Sequence, residues 1–122
     1  MNETVMIVDD SLMVREQVSS ALAAAGMEVV EAENGIDALG KLGDLPAPSL
    51  IVLDVNMPKM NGIELLRLLH DRGSRVPVVM LTTEGQPRLM QQAKALGARG
   101  WIIKPFKPEL LVATVHKVTR AL

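Results

Sequence analysis

Residues 49–58 read SLIVLDVNMP. Four apolar, β-favouring side chains in succession, Leu50-Ile51-Val52-Leu53, stop at a single carboxylate, Asp54. A run without polar alternation suits a strand covered on both faces, and such strands lie inside parallel sheets. Open α/β sheets bind their ligands at the carboxyl ends of the strands. Asp54 therefore stands where chemistry is expected, and a carboxylate there is a candidate nucleophile for a phosphoryl group.

Outward from this strand the same pattern recurs. Thr4-Val5-Met6-Ile7-Val8 reads as a first buried strand closed by Asp9-Asp10, with Ser11 as the N-cap of a first helix. Leu12, Val14, Val18, Leu22 and Ala25 are spaced for one apolar face of that helix, and Gly26 stops it. Residues 28–32 form a second strand, and Asn34-Gly35 opens a second helix packed through Ile36, Ala38, Leu39 and Leu42. Past Asp54, a turn-rich loop leads to a helix with Ile63, Leu65, Leu66 and Leu69 on its buried side. Residues 76–81 read as a fourth strand closed by Thr82-Thr83, and residues 87–96 as a helix burying Leu89, Met90, Ala93 and Leu96. A short fifth strand over 100–103 is closed by Lys104-Pro105-Phe106, and a last helix runs from Lys107 to about Arg120, with Pro108 in its first turn. Strands alternating with helices imply right-handed parallel crossovers and helices on both faces of one sheet. The pattern alone leaves the strand order open.

Composition sets the outer bounds. With 122 residues a single domain over 1–122 is expected, long enough for a real core. The net charge of -1 points to neither nucleic acid nor a membrane surface as a bulk partner. The absence of cysteine excludes disulfides and thiolate metal sites. No apolar run approaches the ~20 residues of a membrane span, and residues 1–10 lack the pattern of a signal peptide. A cytoplasmic monomer is the expectation. His70 and His116 stand apart from any strand end or other ligand type, which argues against phosphohistidine or metal roles. The eight Met residues read as core filler.

In a parallel sheet the strand-end groups Asp9, Asp10, Asp54, Thr82 and Lys104 share one edge. If the first and third strands are neighbours, three carboxylates converge, and each raises the cost of ionising the others. A hard divalent cation with oxygen ligands relieves that cost, and Mg²⁺ fits. Lys104 adds a fixed positive charge and Thr82 a hydroxyl donor. Transfer of a phosphoryl group to a carboxylate needs positioning and charge neutralisation, and these groups supply both.

The ordered set VDD, LDVNMP-x-x-x-G, LTTE and KPF resembles the receiver domains of two-component response regulators, over the whole chain. The resemblance implies a flavodoxin-like (βα)5 doubly wound parallel sheet of order 2-1-3-4-5. It implies Asp54 as phosphoacceptor, and Mg²⁺ held by Asp10, Asp54 and the backbone carbonyl of Asn56, with Asp9 acting through water. Thr82 and Lys104 would contact the phosphoryl group, and Thr82 with Trp101 would form the switch. Asn56 and Glu84 would tune the lifetime of the phosphorylated state, and Lys104-Pro105 would be a cis peptide. Trp101 stands where Tyr or Phe is more usual, and Thr83 where many members carry Ala or Gly. Within the family the chain is similar to stand-alone chemotaxis regulators, since it leaves no room for an output domain. The implied partners are a histidine kinase and a flagellar motor switch component. The alternatives are a receiver in another phosphorelay and, on a similar sheet, an aspartate-nucleophile phosphatase. The phosphatase needs a D-x-D motif after its first strand, which Asp9-Asp10 does not supply. An FMN carrier is disfavoured because two aspartates would repel a phosphate at that loop. All the expected site residues are present, which argues against an adaptor that is never phosphorylated.

Overall fold

The computed structural model describes residues 3–83 and 85–120. Five strands and five helices alternate: β1 Thr4–Val8, α1 Leu12–Ala24, β2 Glu28–Ala32, α2 Gly35–Asp44, β3 Leu50–Asp54, α3 Gly62–Asp71, β4 Val78–Thr82, α4 Pro87–Ala95, β5 Ala98–Ile103 and α5 Pro108–Arg120. All strand pairs are parallel and the order is β2-β1-β3-β4-β5. This is the flavodoxin-like arrangement, and it makes β1 and β3 neighbours.

The central strands bury every residue from Val5 to Val8, Leu50 to Asp54 and Val78 to Thr82. Side-chain alternation divides the core between two layers. Val5, Ile7, Val52, Val79 and Leu81 pack with Val18 and Leu22 of α1 and with Leu111, Val115 and Val118 of α5. Met6, Val8, Ile51, Leu53 and Met80 face the other side, against Ala38 of α2, Leu65 and Leu66 of α3 and Ala93 of α4.

Local chemistry sets the ends of the elements. Ser11 caps α1 by accepting from the Val14 N–H, and Asn34 caps α2 in the same way from Asp37. Asn61 and Glu64 form a reciprocal capping box at the start of α3. Gly26 follows α1 at φ +86°, a left-handed turn that a side chain disfavours.

Some expectations need correction. The periodicity places Leu12 and Ala25 on the buried face of α1, Ile36 on that of α2 and Met90 on that of α4, but all four are exposed. Each lies at or near the end of its helix or to one side of the packed stripe, where periodicity cannot separate neighbouring faces. β4 begins at Val78 rather than residue 76, because Pro77 has no N–H for the ladder. β5 begins earlier than expected, at Ala98, next to a register shift opposite Val78 and Val79.

Candidate functional site

Val8 pairs with Leu53 across β1 and β3, so Asp9 and Asp54 each lie one step beyond that pair. The turn into α1 then adds Asp10. Carboxylate oxygens of Asp9, Asp10 and Asp54 all lie within 4.8 Å of one another. Thr82 ends β4 opposite Ile103 of β5, and Lys104 follows Ile103. The backbone N–H of Lys104 donates to the Thr82 carbonyl at 2.8 Å, which fixes where the lysine leaves the sheet.

Lys104 Nζ lies 2.7 Å from Asp9 Oδ2 and 3.2 Å from Asp54 Oδ1, with both carboxylates almost fully buried. Asp9 Oδ1 accepts from the Ser11 N–H at 2.9 Å. The Asp9 carboxylate is thus engaged at both oxygens, whereas Asp10 is exposed. Burial, then the neighbouring charge of Asp9, pushes the Asp54 pKa up to about 6, although Lys104 and the Asn56 backbone N–H act the other way. Burial works to lower the Lys104 pKa, but the Asp9 hydrogen bond and the two carboxylate charges outweigh it and hold it above its usual value.

Gly62 is pressed against this strand end. A Cβ there would stand 2.1 Å from the Asp54 carbonyl oxygen, a distance no side chain tolerates. Its N–H donates to the Val55 carbonyl at 2.8 Å, so the start of α3 closes directly over the β3 terminus. Gly62 formed part of the quoted motif, but its steric purpose depends on this contact. Between them, Lys59 adopts φ 69°, an uncommon conformation for a residue with a side chain.

The structure brings Asp9, Asp10, Asp54 and Lys104 together and puts Thr82 beside them at the end of the next strand. The Lys104-Pro105 peptide is cis. Asn56 is exposed at the site and lines a cleft with Asn61, Glu64 and Gln86. Glu84 lies outside the described residues. Trp101 pairs with Met80, two residues before Thr82, so Trp101 and Thr82 share one face of the sheet. The Trp101 Nε1–H is buried and, among the described residues, finds no hydrogen-bond acceptor. Arg15 was not foreseen. Its guanidinium donates to the carbonyl of Asp9, six residues back, a contact that no sequence pattern announces.

The three carboxylates form an all-oxygen donor set, which matches a hard divalent cation. Burial first, and the neighbouring Asp9 charge second, disfavour ionised Asp54, a cost that a bound cation would reduce. The residues present fit Mg²⁺.

A sequence profile of the response regulator receiver domain matches residues 5–116. The chain is 32% identical over 121 residues to the chemotaxis protein CheY of Thermotoga maritima, covering 98% of this chain and 100% of that protein. It is 40% identical over 120 residues to the phosphate regulon transcriptional regulatory protein PhoB of Pseudomonas aeruginosa, covering 97% of this chain but only 52% of PhoB. The structure superposes on that of the Vibrio cholerae chemotaxis protein CheY4 with a TM-score of 0.90, at 41% identity and with 97% and 99% of the two chains covered. The chain belongs to the response regulator receiver domain family. Members of this family are signalling switches rather than conventional enzymes, and they bind Mg²⁺ at a cluster of aspartates such as this one. Among the described residues no helix is long and apolar enough to cross a membrane.

Proposed function

We propose that the protein is a cytoplasmic phosphorylation switch that accepts a phosphoryl group on Asp54 from a histidine kinase. The observation that carries this reading is the convergence of Asp9, Asp10 and Asp54, with Lys104 paired to Asp9 and Asp54. In the transfer an Asp54 carboxylate oxygen attacks phosphorus while the donor's bond to phosphorus breaks. The product is an acyl phosphate that leaves Asp54 without its negative charge but brings in phosphoryl oxygens. Lys104 already sits at Asp54 Oδ1 and would turn from the carboxylate to a phosphoryl oxygen. Asp10, Asp54 and the Asn56 backbone carbonyl would hold Mg²⁺, with Asp9 acting through water, and the bound ion would neutralise charge on the phosphoryl group. The assignment of Asp9 to the outer position is supported by its two existing partners, Lys104 and the Ser11 N–H.

Thr82 would bind a phosphoryl oxygen and couple the site to Trp101. The ring lies on the same face, two residues back along the paired strands, so movement of the Thr82 side chain opens space toward it. A buried indole N–H without an acceptor costs about 1–3 kcal/mol. That cost weakens the ring's hold on its present position. An arrangement of the ring that pairs the N–H would gain part of it back. Asn56 and Glu84, near the site in sequence, would set the lifetime of the acyl phosphate.

The output surface would be α4, β5 and α5. Met90, Lys94, Arg99 and Trp101 border a cleft of about 260 Å³ there. The similarity to stand-alone chemotaxis proteins supports a flagellar motor switch component as the partner. The similarity to PhoB keeps another phosphorelay as the second reading.

The experiment is intact-mass analysis after incubation with Mg²⁺ and a small acyl phosphate. The wild-type protein should gain one phosphoryl group and Asp54→Asn none. Equal gain by both removes Asp54 as the acceptor.

A further inference from the structure

Asp9 and Asp10 meet at one peptide, and its orientation decides where the Asp10 side chain leaves the backbone. Arg15, just over one turn along α1, donates from Nη1 to the Asp9 carbonyl of that peptide at 2.7 Å. Its Nε donates at the same time to Glu31 Oε1 on β2 at 3.1 Å. Glu31 is itself held on both sides. The Ser19 hydroxyl donates to Oε2 at 3.3 Å, and the Lys41 ammonium donates to the Glu31 backbone carbonyl. The arginine side chain is only 13% exposed, so water competes little for its bond to the Asp9 carbonyl, although the Glu31 side chain is 40% exposed. The other end of the Asp9 backbone is fixed by its N–H, which donates to the Ala32 carbonyl at 3.1 Å. The Asp9 side chain is committed to Lys104 and Ser11.

We propose that Arg15 is a positioning residue for the metal site. Clamped by Glu31, it locks the Asp9–Asp10 peptide so that the exposed Asp10 carboxylate stays turned toward Asp54. The inference rests on the reading of this cluster as a Mg²⁺ site. Its geometry is that of an outer partner holding a ligand in place, a class of contact whose loss typically weakens metal binding about 10–100-fold.

The sign of the effect separates this role from plain electrostatics. Arg15 brings a positive charge up to the backbone of the acidic cluster. If it acted only through that charge, removing it would tighten Mg²⁺ binding. A positioning role requires the opposite.

The test is calorimetric titration of the full chain with magnesium chloride alone. Arg15→Met keeps the aliphatic length and removes every donor, and it should bind Mg²⁺ about tenfold more weakly than wild type. Arg15→Lys keeps the charge but presents its donors from one atom, and it should fall between the two. Melting curves in chelator check that each variant folds. Should Arg15→Met fail to fold, Arg15→Lys carries the test, because any weakening there is geometric. Unchanged or tighter binding by Arg15→Met, or wild-type affinity in Arg15→Lys when it alone folds, overturns the role of Arg15. Absence of Mg²⁺ binding by the wild-type protein instead overturns the metal reading, and this inference falls with it.

Discussion

Residues 1–54 hold ten acidic and two basic side chains, whereas residues 55–122 hold four acidic and eleven basic ones. The halves therefore stand at net charges of -8 and +7, inside a chain whose total is -1. The sheet order sets them side by side, with β2, β1 and β3 on one side and β4 and β5 on the other, and they meet where β3 pairs with β4 and α1 packs beside α5. The candidate site lies on the divide. On the proposed reading the acidic half contributes Asp9, Asp10 and Asp54, which would collect a cation and present a nucleophile. The basic half contributes Thr82 and Lys104, which would take the anion, and Trp101, which would report its arrival. Each half alone is chemically incomplete, and what joins them electrically is Lys104 spanning to Asp9 and Asp54.

The most disruptive way to break that junction is Lys104→Met. Two buried carboxylates would lose their cation, and removing one member of a buried ion pair costs about 3–5 kcal/mol. Denaturant unfolding at pH 8 in chelator should show a loss of that order, with part of it restored by Mg²⁺. A loss below about 1 kcal/mol would mean that the two halves are not coupled through this side chain.

Removing the acid instead should have the opposite sign. The folded-state pKa of Asp54, about 6, exceeds its ordinary value of 3.8, so folding favours the protonated form. The ionised group therefore costs stability above about pH 6, and the cost is relieved as the pH falls toward 4. In chelator at pH 8, Asp54→Asn should be more stable than wild type by about 1–3 kcal/mol, since one pKa unit corresponds to 1.36 kcal/mol. Unfolding curves at pH 8 and pH 4 check it, and the advantage should fade at the lower pH.

Asp10→Asn sharpens the division within the acidic half. Asp10 is exposed, so its loss should leave stability almost unchanged while Mg²⁺ affinity falls about tenfold or more, since hard cations depend on carboxylate number. Calorimetric titration measures this directly. The smallest effect belongs to Lys41, which pairs with Asp37 at 3.3 Å on the partly exposed surface of the acidic half. Lys41→Met should cost less than about 1 kcal/mol in urea unfolding. Comparable losses at Lys41 and Lys104 would show that burial does not set the difference between the two cations.

How far the sequence revealed this arrangement follows from where the physics is local. Leu50 to Leu53 announce a doubly covered strand because burial on both faces forbids polar alternation, and the structure buries all of them. Asp9, Asp54 and Lys104 were legible because each directly follows or ends an apolar run. Helix faces were less so, because Leu12 and Ile36 fit the periodicity yet point to solvent. The charge division was present in the sequence but concealed by a total near neutrality. It becomes spatial only once β3 and β4 are known to divide the sheet. Arg15 acts through the Asp9 backbone, and Gly62, though part of the quoted motif, owes its steric purpose to the close approach of the Asp54 backbone, which only the folded chain shows. The unpaired indole of Trp101 likewise depends on what surrounds the ring.

The central claim is that an event at the carboxylates of one half is read by the other half through Thr82. Trp101 is the only tryptophan, so its fluorescence reports on the basic half without labelling. Emission should be recorded before and after addition of a small acyl phosphate with Mg²⁺, in wild type and in Thr82→Ala, with phosphorylation of both verified by mass. A change in wild type that is lost or strongly reduced in Thr82→Ala is the predicted result. A change of equal size in both would show that Trp101 senses charge or metal directly, and would contradict coupling through Thr82.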